Sequence, residues 1–152
     1  MKLKNYFFII LLSIILVSCF FGNNPSSSKK ITKDFWLNWF EFTTDRHILF
    51  SFSDNGDVGN IVVENTVYAV GFNDDFIIAK QHPIINTDNI GKPVPNLEIT
   101  NYIIIDIRNH ESGNSNSFDV HNLNKNGYLL MRKSLEVPDD LTFSFFNTEF
   151  NK

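Results

Sequence analysis

The chain has 152 residues, 43% of them hydrophobic, with 16 Phe and a net charge of −4 from 13 basic and 17 acidic side chains. That is core material for one domain plus short extras, and an acidic balance without clustered Lys or Arg excludes a nucleic-acid footprint. The single cysteine, Cys19, excludes a disulfide within the chain and a zinc site built from several thiolates.

Lys2 and Lys4 open the chain, and Tyr6 to Leu16 is an almost unbroken apolar run. A basic start, about a dozen apolar residues and a small residue before the cut describe a secretory signal peptide over residues 1–18. The run is too short for an ordinary membrane span, which needs ~20 apolar residues. Leu16-Val17-Ser18-Cys19 resembles a bacterial lipobox, in which the Cys thiol receives a diacylglyceryl group and the peptide is cut just before it. The resemblance implies lipidation at Cys19. It also implies a protein held on a bacterial membrane and facing outside the cytoplasm, since two or more acyl chains anchor stably at ~0.8 kcal/mol per buried methylene. Phe20 is not the Asp associated with inner-membrane retention, so an outer membrane is preferred in a Gram-negative cell. Cleavage would leave 11 basic and 17 acidic side chains, a net charge of −6.

Residues 19–33, with Gly22, Asn23, Asn24, Pro25 and three serines, read as a flexible tether with a reach of ~20 Å. Lys29, Lys30 and Lys33 there read as solvated, with contact to lipid head groups as the alternative. A single globular domain is expected over residues 34–152. Phe35 to Phe42 is dense in strand formers and predicts a strand. After a turn at Thr44-Asp45-Arg46, the alternation of Ile48, Phe50 and Phe52 with Leu49, Ser51 and Ser53 predicts a half-buried strand. Asp54-Asn55-Gly56-Asp57 reads as a turn, since its spacing does not match a calcium loop. Ile61-Val62-Val63 is a short apolar piece. Val67 to Phe72 and Phe76 to Gln81 flank Asn73-Asp74-Asp75, which is a hairpin written in local chemistry. Pro83 to Asn101 reads as a long loop, Tyr102 to Ile107 as a central strand, and His110 to Ser117 as a polar loop. Asn124 can cap a helix over Lys125 to Leu135, with Tyr128, Met131 and Leu135 on one face. Leu141, Phe143, Phe145 and Phe146 supply a last apolar patch. Strands followed by one late helix predict an α+β fold: an antiparallel sheet of about five strands in a meander, with the helix packed on it. Phe76, Ile78, Ile104 and Tyr128 are expected to join sheet and helix.

Val67 to Gln81, Tyr102 to Asp106, and Leu123 to Tyr128 with Arg132, Leu135, Val137 and Pro138 resemble a family of small bacterial lipoproteins of unknown function. That resemblance implies a fold and an address. It implies no activity, substrate or catalytic residue.

Chemistry is sparse. The histidines are His47, His82, His110 and His121. Asp119 and His121 would share one face of a strand, a pair short of the three or four ligands a zinc site needs. His82 and Asp106 each end a strong strand. If those ends were neighbours, the two could pair and activate a loop serine, although no Gly-x-Ser-x-Gly elbow accompanies them. Lys80 and Gln81 read as the solvent-facing partners of Ile77 and Ala79, with the lining of a pocket as the alternative. Asp74-Asp75 and Asp139-Asp140 read as solvated acids. Neither a cofactor nor a metal is expected. These residues describe a non-enzymatic binding or structural module, with a small hydrolase built on His82 and Asp106, or an immunity protein, as alternatives. The Pro83 to Asn101 segment is the expected surface for an envelope protein partner. Its Ile84, Ile85 and Leu97 serve either that contact or cover of the sheet edge, and Pro93 and Pro95 stiffen it.

Overall fold

A computed structural model describes residues 27–39 and 43–145. In chain order these form β1 (Ser27–Thr32), β2 (Phe35–Trp39), β3 (His47–Phe50), β4 (Asn60–Val63), β5 (Val67–Phe72), β6 (Phe76–Gln81), β7 (Ile84–Thr87), β8 (Pro93–Pro95), β9 (Asn101–Asp106), β10 (Asp119–Leu123), helix α1 (Lys125–Ser134) and β11 (Ser144–Phe145). All strand pairing is antiparallel. There is a four-stranded sheet ordered β1-β2-β3-β4, a five-stranded sheet ordered β10-β9-β6-β5-β11, and the β7-β8 hairpin on its own.

Alternation along β6 and β9 explains the layering. Successive side chains point to opposite faces. Ile77, Ala79, Ile103 and Ile105 meet Phe35, Leu37, Ile48 and Phe50 of the four-stranded sheet. From the other face, Phe76, Ile78 and Ile104 meet Tyr128 of α1 and Val137 and Leu141 beyond it. The five-stranded sheet is therefore the middle of three layers. Its inner strands are buried on both faces, which is why they read as near-continuous β-branched runs. Each buried Ile or Phe contributes roughly 1.5–3 kcal/mol.

Local chemistry sets the turns. The Asn73 carboxamide oxygen accepts from the N–H groups of Asp75 at 2.9 Å and Phe76 at 2.8 Å, closing the β5–β6 hairpin. Asn124 caps α1, accepting from the Gly127 N–H at 2.8 Å. Gly71 is required by close approach, because a Cβ there would stand 2.1 Å from the Thr142 carbonyl oxygen where the last segment crosses β5. The four residues expected to join sheet and helix do so.

Several expectations are corrected. Among the described residues the protein is mostly antiparallel β with one C-terminal helix, but the sheet is far more extensive than a five-strand meander. Ser27–Thr32, read as tether, form β1. It is a polar edge strand whose one buried side chain is Ile31, so neither composition nor alternation betrays it. The expected half-buried strand at Ile48 stops at Phe50 and is buried throughout, since Leu49 is also covered. The long loop of Pro83 to Asn101 contains β7 and β8. Prolines hid the second of these, yet an isolated pair has free edges on which a missing N–H costs nothing. Cys19, Phe40 to Phe42 and Phe146 lie outside the described residues.

Candidate binding surface

The β7–β8 hairpin is fixed at both ends. At its base, the His82 ring stacks on Tyr68 with centroids 4.4 Å apart and planes 12° apart. His82 Nδ1 lies 2.7 Å from the Ile99 carbonyl oxygen, which can only accept, so this nitrogen carries the proton. The Tyr68 hydroxyl pairs with Thr100 Oγ1 at 3.2 Å, and burial raises the Tyr68 pKa above its ordinary value. The Asn96 N–H donates to the Pro83 carbonyl at 2.8 Å. At the tip, the Asp88 carboxylate accepts from the N–H groups of Ile90 at 3.0 Å and Lys92 at 2.8 Å. Ile84, Ile85 and Ile90 on the hairpin, with Leu97 and Ile99 just after it, are 38% to 72% exposed. Of the three residues read as either partner contact or cover of a sheet edge, Ile85 and Leu97 face water, while Ile84 lines a groove against β4, β6 and β9.

A groove of about 310 Å³ opens beside the hairpin base. Ile103 and Val63 form its apolar lining with Val62, Val120, Pro83 and Ile84, and Gln81, Asn101, Asn122 and Glu64 supply the polar groups. Gln81 is buried, donating to the carbonyls of Glu64 and Asn65 at 2.9 Å each and accepting from the Asn101 amide at 3.3 Å. Next to this wall Thr66 takes a φ of 75°, rare for a β-branched residue. Its hydroxyl donates to the His82 carbonyl, and its N–H donates to the Thr44 carbonyl at 3.0 Å. Strain held by surrounding bonds is typical of functional sites. A second cavity, about 300 Å³, lies between β1 and β5, with Ile31, Leu37, Val70 and Leu141 among its lining and Lys29 and Lys30 beside them.

Lys80 and Gln81 are not solvent-facing. Gln81 is spent on the groove wall. Lys80 is half-buried under α1, its Nζ 4.5 Å from the Phe143 ring centroid, and burial together with the nearby charge of Lys125 lowers its pKa.

His82 and Asp106 do not meet. In the antiparallel β6–β9 register Gln81 faces Asn101 while Phe76 faces Asp106, so His82 and Asp106 sit at opposite ends of the sheet, ~20 Å apart. Asp106 instead binds Arg108, with 2.5 Å between Oδ2 and the guanidinium. That hydrogen bond holds the Asp106 carboxyl below the ordinary carboxylate range. Asp119 faces Asp106 and His121 faces Ile104, and among the described residues no three His, Cys, Asp or Glu side chains gather as a metal would require. His47 Nδ1 is 2.9 Å from the Asp45 carbonyl oxygen.

One constellation was not legible in the sequence. Ser117 Oγ lies 2.8 Å from His110 Nδ1, and His110 Nε2 lies 3.1 Å from Asp34 Oδ2. The three residue types are those of a hydrolytic triad, but the two ring nitrogens are exchanged relative to one, and the surroundings are those of a clasp. The His110 side chain is 1% exposed and boxed by Phe35, Phe50 and Phe118. Ser117 Oγ donates to the Asn114 carbonyl at 2.7 Å and accepts from the Glu111 N–H at 3.1 Å. Asp34 also accepts from the Gly113 N–H and the Ser112 hydroxyl. Burial works against its charge, yet these bonds and His110 hold its pKa below the ordinary value.

A family profile described as a protein of unknown function (DUF3997) matches residues 37–148. Neither a curated protein nor a solved structure matches the chain.

Proposed function

The chain belongs to the DUF3997 family of proteins of unknown function, and from that premise we propose that it is a non-catalytic binding module of the bacterial envelope. On this reading Cys19 carries the lipid anchor, and the β7–β8 hairpin with the groove beside it receives another envelope protein. The observation that carries the proposal is the set of five exposed aliphatic side chains, three on a hairpin clamped at base and tip and two in the turn just after it. Single exposed apolar residues are ordinary, but a cluster on a rigid projection supports a protein contact. The groove adds side-chain amides beside an apolar floor, which suits a partner's backbone. No described helix is long and apolar enough to cross a membrane, so attachment here rests on the lipobox resemblance.

Two measurements test it. A fatty-acid label fed to cells should enter the wild-type chain and be absent from Cys19→Ala; label retained by the variant rejects the anchor. A photo-crosslinking residue placed at Ile85 or Ile90 should capture one discrete envelope protein, while the same residue at the exposed turn position Asp54 captures none. Identical capture patterns at all three positions would reject the hairpin as the docking surface.

A further inference from the structure

Helix α1 turns two leucines away from the core, with Leu129 55% and Leu130 73% exposed. Tyr128, Met131 and Leu135 occupy the face toward the sheet. At 3.6 residues per turn, Lys125, Leu129 and Lys133 stand above one another, with Asn126, Leu130 and Ser134 in the adjoining row. The outward face therefore holds two leucines, two exposed lysines and no acid. The whole helix carries Lys125, Arg132 and Lys133 and not one Asp or Glu, in a chain whose net charge is −4. Glu136, Asp139 and Asp140 follow the end of the helix, and of these Asp139 adjoins the helix surface, lining a shallow cavity with Leu129, Arg132 and Lys133, where the two basic side chains outnumber it. Arg132 turns inward, bonding the Tyr128 hydroxyl at 3.0 Å and the carbonyls of Pro138 and Leu141.

We infer that the outward face of α1 docks on an anionic membrane surface. The charge pattern selects that occupant. Leucines flanked by lysines on a short helix enter the boundary between headgroups and acyl chains, while the lysine stems reach back to lipid phosphates. A lysine near an anionic leaflet shifts partitioning about fivefold. The contact does not require a lipid on Cys19, so it stands or falls separately from the anchor.

The test uses the full chain with Cys19→Ala, carrying an environment-sensitive fluorophore on Leu130→Cys or, as control, on Asp54→Cys. Each is mixed with vesicles of phosphatidylcholine alone or of phosphatidylcholine with phosphatidylglycerol. The expected result is a blue shift and quenching by lipid-borne quenchers at position 130 only, and only with phosphatidylglycerol. Adding Lys125→Glu and Lys133→Glu should reduce bilayer occupancy of the label by about 25-fold or more. A label that stays in water with anionic vesicles overturns the inference. So does equal burial in neutral vesicles that survives the charge reversal. Shielding of position 130 before any vesicle is added would assign the face to protein contact and likewise overturn it.

Discussion

Two long connections join β9 to its neighbours, and they use their side chains in opposite ways. The one toward β10 is polar, rich in Gly, Asn and Ser, yet it is sewn to the body. The His110 ring is buried among three phenylalanines, Asp34 and Ser117 hold its two nitrogens, and Lys33 Nζ reaches the Ile107 carbonyl at 2.7 Å. The one from β6, carrying the β7–β8 hairpin, is rich in isoleucine, yet it projects that apolar surface outward. Hydropathy alone assigns the roles the other way round. Polar groups spent on one another make a structural clasp, whereas apolar groups held out on a rigid frame make a surface for a partner.

The contrast breaks most readily at His110. Replacing His110 with Ala removes a buried ring and both its bonds, and should cost about 3 kcal/mol of folding stability in a denaturant titration. A loss too small to resolve would mean the polar loop is not fastened here.

Asp34→Asn probes the same clasp more gently. Its carboxyl is held below the ordinary value in the folded protein, so its bonding contributes fully above the unfolded pKa and is lost as pH falls through the lower folded one. The variant should lose about 1 to 2 kcal/mol at neutral pH. It should also show a flatter acid limb in stability against pH, leaving Asp106, likewise lowered by Arg108, to supply the remainder. An unchanged limb would assign acid sensitivity elsewhere.

The smallest effect is expected on the hairpin. Ile85→Ser together with Ile90→Ser should change the melting free energy by no more than about 0.5 kcal/mol, because both side chains already face water. A large loss would make the hairpin a lid on the core and erase the contrast.

Legibility in the sequence divides the same way. The β5–β6 hairpin and α1 were legible because their signals are local: Asn73 bonds residues two and three ahead, and Asn124 caps a helix three ahead. The clasp was not, since Asp34 and His110 are 76 residues apart and only the closed sandwich joins them. The same limit applies to His82. Its place at a strand end was readable, but the register that puts Asp106 at the far end of the sheet is a property of two paired strands. The length and the isoleucines of the hairpin segment mark it as a surface, while Pro93 and Pro95 mask its second strand.

The early start of β1 sets a ceiling on height. From Cys19 to Ser27 there are eight residue steps, and eight steps cannot span more than about 29 Å even when drawn straight. With a lipid at Cys19, the first strand could never rise further than that above the bilayer. The domain would then search a thin sheet of space instead of a volume, and any partner for the hairpin would have to be resident at the same membrane or reach down to it.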